Sequence, residues 1–370
     1  MSSLKEYALE DIKELKIHGR TTGCLSPLTL FWTASGIELN VNASELWVEI
    51  EAGFDAHEPW IAIVIDGVPV SRFMANKGRH WICVFRGMNK EVTKNIRIVK
   101  ETQALNEDPK SFLQIHGVKC DGEFVGVEDR PYKIEFIGDS ITSGEGAIGA
   151  KEEDDWIMMW FSSIQNYTYM VAKELNADYR ILSQSGWGCY TGYDNNPNKN
   201  IPAYYEKVSG TLGGEMNKSL GAFDDNDFTA WQPDVVVVNL GTNDEGAFRN
   251  PMWKDEMTGR THKQRLNSDG SFNEEDLKKF EDAVAGFLLK LRKHNPSAHL
   301  LWVYGMLGDN MMPAIRRGVE AYELKTGDDN VSVLLLPNTT EETVGARYHP
   351  GLLSHKKAAK VIADHIKKIL

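Results

Sequence analysis

The pattern of hydrophobic and polar positions changes about one third of the way along the chain. In the first part, apolar and polar residues alternate in short runs, which is typical of strands that bury one face. The run at residues 60–65 ends at Asp66-Gly67, a dipeptide that favours a tight hairpin turn. The predicted strands are residues 36–41, 45–51, 60–65, 80–86, 94–100 and 112–120. Closely spaced turn residues and the lack of a long helical period predict an antiparallel, jelly-roll-like β-sandwich.

After residues 129–131 (Asp-Arg-Pro), apolar strands alternate with helical segments. The predicted strands are residues 133–137, 179–182, 235–239, 299–304 and 331–335, and the predicted helices are 165–175, 274–293 and 353–369. Asn273 is a suitable N-cap for the second helix, and residues 308–327 are predicted to hold a further one. This alternation predicts a five-stranded parallel sheet with helices on both faces. We therefore divide the chain into a β-sandwich at residues 1–130 and an α/β domain at residues 131–370.

The composition of the chain argues against several classes of binding partner and site. The net charge of −12 argues against nucleic acid or an anionic membrane surface. The chain has no apolar run long enough for a membrane span, and its polar first residues do not resemble a secretory signal, so we expect a cytoplasmic location. The four cysteines are far apart, so neither a metal site nor a disulfide framework is expected. The edges of a β-sandwich would allow self-association into a homo-oligomer.

Four short sequence motifs follow predicted strands of the second region. Together they supply the groups that acyl transfer needs. Ser140, in Gly138-Asp139-Ser140, offers a hydroxyl, and His349, in His349-Pro350, offers an imidazole that can act as general base and acid. Gly186 offers a backbone N–H and Asn243 a side-chain amide as oxyanion donors, with the N–H of Ser140 as a third. Because the carboxyl ends of parallel strands share one edge, these groups are expected to meet there.

Each signal has a plainer explanation when it is taken alone. Asp139 and Ser140 could simply cap a helix, Asn243 could form an Asx-turn, and Gly186 could belong to an ordinary turn. His355 competes with His349 for the role of base, but its expected place in the last helix points it towards loops. The set is also not the Gly-x-Ser-x-Gly elbow of α/β-hydrolases. The order of the four signals, together with the place of each relative to the predicted strands, favours a serine esterase.

With Ser140, Gly186, Asn243 in Gly241-Thr242-Asn243-Asp244, and His349, the chain resembles the SGNH, or GDSL, hydrolases from about residue 132 to its end. The resemblance implies a flavodoxin-like three-layer α/β/α domain. Together with the β-sandwich before it, the chain looks like carbohydrate esterase family 2, which removes O-acetyl groups from plant polysaccharides and oligosaccharides. The implied activity is that of an acetylesterase, such as an acetylxylan esterase acting on xylo-, gluco- or manno-oligosaccharides, with no cofactor and no metal.

One departure from the family pattern concerns the residue that orients the histidine. SGNH enzymes usually carry an Asp three residues before the catalytic His, and Ala346 stands at that position here. The family 2 pattern implies instead a Ser–His dyad whose imidazole is held by a backbone carbonyl, although Glu341 or Glu342 could also reach the ring. Trp187 and Trp253 are candidates for stacking on a sugar ring. The alternative functions are another SGNH activity (lipase, thioesterase or arylesterase) and a glycan-binding protein without catalysis.

Overall fold

A computed structural model describes residues 4–370, and these form two compact units. Unit 1 contains the chain up to Arg130 together with Trp156–Ile164 and Glu206–Asn226. Unit 2 contains Pro131–Asp155, Gln165–Tyr205 and Asp227–Leu370. No helix among the described residues combines the length and apolar character that a membrane span requires.

Unit 1 is built from antiparallel strands in two sheets. The strands are β1 Lys5–Ala8, β2 Lys16–His18, β3 Leu28–Thr29, β4 Gly36–Asn42, β5 Glu45–Gly53, β6 Trp60–Ile65, β7 Val68–Met74, β8 Gly78–Arg86, β9 Lys94–Lys100, β10 Phe112–Cys120 and β11 Glu123–Val125. One sheet has the order β1-β10-β5-β8, with β3 also on β10, and the other has the order β11-β4-β9-β6-β7, with β2 also on β4.

The alternating pattern of the sequence is what builds the core of unit 1. In β5, Leu46, Val48 and Ile50 are buried while the residues between them are partly exposed. In β4 of the other sheet, the apolar residues Ile37 and Leu39 belong to the same core, although Glu38 between them is buried as well. The Asp66-Gly67 turn joins β6 to β7, which pair as the predicted hairpin. The predicted jelly-roll-like, antiparallel β-region is therefore confirmed.

The parallel strands are β12 Tyr132–Gly138, β13 Ala177–Ser183, β14 Val235–Asn239, β17 His299–Gly305 and β18 Val331–Leu336, whereas β15 Trp253–Lys254 and β16 Thr261–His262 form a small hairpin. The helices are α1 Ser140–Ser143, α2 Tyr167–Glu174, α3 Glu215–Ser219, α4 Thr242–Arg249, α5 Glu274–His294, α6 Met312–Thr326 and α7 Leu352–Ile366. Of these, α3 lies in a segment of unit 1.

The parallel sheet has the strand order β13-β12-β14-β17-β18. Helices α2 and α7 pack on each other, as do α5 and α6, which gives two helix layers for one sheet. The first four residues of the central strand β14, Val235–Val238, are all apolar and have no exposed surface, because both faces of the strand are covered. The predicted five-stranded α/β fold is confirmed, as is the Asn273 cap, whose side chain accepts from the N–H of Asp276. The last helix ends three residues earlier than predicted, at Ile366.

Register brings three strand ends to one place. Gly138, the last residue of β12, is paired with Ser183 at the end of β13 and with Asn239 at the end of β14. The segments that leave these strands carry Ser140, Gly186 and Asn243. This edge of the parallel sheet is the candidate site.

Candidate active site

Ser140 is the first residue of the short helix α1. The carboxylate of Asp139 caps the helix by accepting from the N–H of Ile141 at 3.0 Å. The backbone N–H of Ser140 has no acceptor among the described residues, as is usual for the first position of a helix. Ser140 therefore presents a hydroxyl and a free N–H donor from the same residue.

His349 lies against Ser140. Its Nε2 is 3.0 Å from Ser140 Oγ, and its Nδ1 is 2.9 Å from the carbonyl oxygen of Arg347. When Nδ1–H donates to that carbonyl, Nε2 is left as the acceptor for the serine hydroxyl, which is the tautomer a general base needs. Ala346 is buried, and Glu341 and Glu342 are exposed on the preceding loop. The contact partner of Nδ1 is thus a backbone carbonyl, the arrangement that the family 2 resemblance implies.

The carbonyl that holds His349 comes from an unusual stretch of backbone. Arg347 and Tyr348 both have a φ of 55°, in the left-handed region that side chains with a Cβ seldom occupy. Three contacts hold Arg347 there: its N–H donates to Glu153 O at 2.7 Å, Nη1 donates to Asp154 O at 2.7 Å, and Nε donates to Glu145 Oε1 at 2.8 Å. Strained conformations persist where their surroundings fix them in this way.

Gly186 occupies the turn after β13. The N–H of Trp187 donates to Gln184 O, and Gly186 has a φ of 78°, which glycine adopts without a steric cost. The N–H of Gly186, like that of Ser140, has no acceptor among residues 4–370. The turn thus leaves an N–H donor at the end of β13, beside the strand that carries Ser140.

Asn243 lies in the first turn of α4. Its Nδ2 donates to Trp187 O at 2.9 Å and, with a longer distance of 3.3 Å, to Asp139 Oδ2. The first bond links Asn243 to the turn of Gly186, and the second links it to the cap of Ser140. The amide is therefore held in the middle of the three strand ends.

Two buried carboxyl groups support these loops. Asp244 accepts from the N–H groups of Cys189, Tyr190 and Thr191 at 2.8–3.0 Å, so it anchors the segment that follows Gly186. Burial raises the pKa of Asp244 to about 6, although these three bonds oppose the shift. Burial also raises the pKa of Asp139 to about 7. No contact of either group with Ser140 Oγ is found among the described residues; Asp244 holds backbone, and Asp139 holds both the N–H of Ile141 and the side-chain amide of Asn243.

Glu145 is a site residue that the sequence patterns did not single out. Its side chain is buried, with Oε2 accepting from Ser185 Oγ at 2.7 Å and Oε1 accepting from Arg347 Nε at 2.8 Å. Oε1 is also 3.8 Å from His349 Nε2. Burial alone would raise the pKa of Glu145, but His349, Ser185 and Arg347 outweigh it and hold the pKa below its ordinary value.

The remaining candidate residues lie as follows. Trp187 is 4% exposed and packs on Tyr204 with ring centroids 5.2 Å apart, so little of its indole is available for stacking. Trp253 is half-buried in the β15–β16 hairpin. His355 is completely buried in α7, and its Nδ1 accepts from the N–H of Tyr167. Burial lowers the pKa of His355 to about 3, which keeps this imidazole neutral. The sugar contacts of Trp187 and Trp253 stay predictions.

Comparison with known proteins agrees with this geometry. Residues 136–331 match the model of the GDSL-like lipase/acylhydrolase family, and this match covers more than half of the chain. The chain belongs to this family. It is also 45% identical to an acetyl xylan esterase (Est2A) from the rumen bacterium Butyrivibrio proteoclasticus, with a TM-score of 0.96 and coverage of 99% of this chain and 98% of that one.

More distant relatives also match most of this chain. A family two carbohydrate esterase from Clostridium thermocellum, solved in complex with cellohexaose, has a TM-score of 0.78 at 24% identity, covering 96% of this chain and 98% of that one. The cellulase/esterase CelE of Acetivibrio thermocellus is 27% identical over 347 residues, and the match spans 92% of this chain but only 37% of CelE. The fold is thus that of family 2 carbohydrate esterases, and the predicted class, a carboxylic ester hydrolase, is confirmed.

Proposed function

We propose that this chain is a serine acetylesterase that removes O-acetyl groups from acetylated plant-type oligosaccharides of the xylo-, gluco- or manno- series. Homologues named as acetyl xylan and carbohydrate esterases support the broader activity of a carbohydrate acetylesterase. The observation that carries the proposal is the Ser140 Oγ to His349 Nε2 distance of 3.0 Å, with Nδ1 of the same ring on a backbone carbonyl. A serine hydroxyl aligned in this way is an activated nucleophile.

In the proposed reaction, Ser140 Oγ bonds to the acetyl carbonyl carbon while its proton moves to His349 Nε2. The bond from that carbon to the sugar oxygen then breaks, and His349 returns the proton to the sugar. Water attacks the acetyl-enzyme with His349 as base, which releases acetate and restores the serine hydroxyl.

The negative charge of both tetrahedral intermediates would be held by three donors. The N–H groups of Ser140 and Gly186 lack acceptors in the described part of the chain, so they are available to a substrate oxygen. The third donor is Asn243 Nδ2, whose 3.3 Å contact with Asp139 is the weaker of its two and the one that a substrate oxygen would replace.

The test is acetate release from acetylated xylo- and manno-oligosaccharides by the wild type and by Ser140→Ala. We expect release from the wild type and none above background from the variant. p-Nitrophenyl esters of increasing chain length separate the other SGNH activities, because a preference for butyrate or longer chains would favour a lipase or thioesterase. An absence of turnover with every ester, together with oligosaccharide binding that Ser140→Ala leaves intact, would favour the glycan-binding alternative.

A further inference from the structure

Glu145 links the turn that carries an oxyanion donor to the segment that carries the base. Through Oε2 it accepts from Ser185, the residue before Gly186, and through Oε1 it accepts from Arg347, the residue whose carbonyl orients His349. It also follows closely on Ser140, since the N–H of Glu145 donates to Ser140 O at 3.0 Å. The buried carboxylate is therefore tied to the turn of an oxyanion donor and to the support of the base, while the backbone N–H of the same residue bonds to the carbonyl of Ser140.

The charge of Glu145 also faces the imidazole. Glu145 Oε1 is 3.8 Å from His349 Nε2, the atom that takes the proton of the serine in the proposed reaction. A negative charge at this distance attracts the positive charge that the ring would acquire when it takes the serine proton. Two further groups bear on this contact among residues 4–370. Arg347 is bound to Glu145, and His355, whose charge would repel that of His349, is neutral because burial lowers its pKa to about 3.

A backbone carbonyl can fix the tautomer of His349, but it carries no net charge to stabilise an imidazolium. In triads, a carboxylate on Nδ1 supplies both functions. Here Ala346 stands where that carboxylate is expected, and the carbonyl of Arg347 occupies Nδ1. A charge elsewhere around the ring can supply the missing half of the function.

Given the proposed function, we propose that Glu145 is the positioning residue that replaces the missing aspartate from the opposite side of the ring. It holds the left-handed Arg347, so that the Arg347 carbonyl stays on His349 Nδ1, and it stabilises the imidazolium that forms during acyl transfer. In a triad, one carboxylate fixes the tautomer and stabilises the imidazolium. Here the Arg347 carbonyl fixes the tautomer, and Glu145, which binds the side chain of Arg347, stabilises the imidazolium.

The test compares Glu145→Gln, which removes the charge at nearly constant shape, with Glu281→Gln. Glu281 is a matched control because it is also buried and bound to an arginine, Arg317, within α5 and α6. For Glu145→Gln we expect kcat on p-nitrophenyl acetate to fall about 10- to 100-fold, less than the roughly 10⁴-fold loss when a triad Asp becomes Asn, because the tautomer is still held. We also expect the acid limb of the kcat/KM profile to move to lower pH, because the variant removes the negative charge 3.8 Å from His349 Nε2.

Glu281→Gln is expected to leave kcat and the acid limb as in the wild type, even where thermal unfolding shows lost stability. Glu145→Asp keeps the negative charge but moves it away from His349. Its kcat and its acid limb should therefore lie between those of the wild type and of Glu145→Gln. An unchanged kcat or an unmoved acid limb in Glu145→Gln would overturn the proposal, and Glu145→Asp decides in the same way if only that variant folds. Activity that persists in Ser140→Ala is a separate outcome, which contradicts the proposed function itself.

Discussion

Gly146 is the position where one added methyl group should disturb catalysis most selectively. Its φ is +70°, and a Cβ built on it would lie 2.4 Å from Ala346 O and 2.6 Å from His349 Cβ. Ordinary contacts of a Cβ begin at about 3.4 Å, so in Gly146→Ala the loop that carries His349 must retreat by roughly 1 Å. The hydrogen bond between Ser140 Oγ and His349 Nε2, now 3.0 Å long, would not survive such a shift.

A misplacement of about 1 Å at a reacting group can cost about 10²-fold in rate, so we expect kcat/KM of Gly146→Ala on p-nitrophenyl acetate to fall by about that factor. The left-handed backbone adds a destabilisation of about 1–2 kcal/mol. Gly259→Ala separates the two effects, because Gly259 has a φ of +71° but nothing within 4 Å of its Cβ. Kinetics and thermal unfolding of both variants form the assay. Wild-type kinetics in Gly146→Ala, or an equal loss in Gly259→Ala, would refute the steric argument.

Three further predictions concern the supports of the site. Asn243→Ala should lower kcat about 10²- to 10³-fold with little change in KM, as measured by steady-state kinetics, because an oxyanion donor acts mainly in the transition state; a loss confined to KM would contradict this role. Asp244→Ala should destabilise the protein by several kcal/mol in denaturant unfolding, since three N–H groups lose their acceptor; an unchanged midpoint would count against it. Because burial lowers the pKa of His355 from 6.5 to about 3, its contribution to stability is complete above pH 6.5 and is lost as the pH falls to 3. The unfolding free energy of the wild type should therefore drop by up to about 1.4 kcal/mol per pH unit more steeply than that of His355→Gln across this window, and equal slopes would contradict the assignment.

The strands that carry the site could be predicted from the sequence because their apolar and polar residues follow a regular order. The four consecutive valines of β14 predict a strand that is covered on both faces. The alternation in β5 predicts which of its faces is buried. Short strands such as β3 Leu28–Thr29 and β11 Glu123–Val125 were not predicted, since two or three residues cannot display a period. They exist because longer neighbours offer free edges.

Ser140, Gly186 and Asn243 were accessible to sequence reasoning because each follows a predicted strand, and parallel strands end at one edge. Glu145 was not, because a single acidic residue in a loop forms no motif, and its role depends on a contact with Arg347 across 202 positions of the chain. The same holds for Gly146, whose constraint comes from a loop that begins two hundred residues later. Contacts between loops leave no periodic trace in the sequence.

The central claim is that an acetyl group passes through Ser140. The most direct measurement is mass spectrometry of protein quenched during turnover of p-nitrophenyl acetate, with acetate release followed in parallel for the wild type and Ser140→Ala. We expect acetyl on the peptide that contains Ser140 in the wild type, and neither acetylation nor acetate release in the variant. Acetate release by Ser140→Ala at the wild-type rate would contradict it.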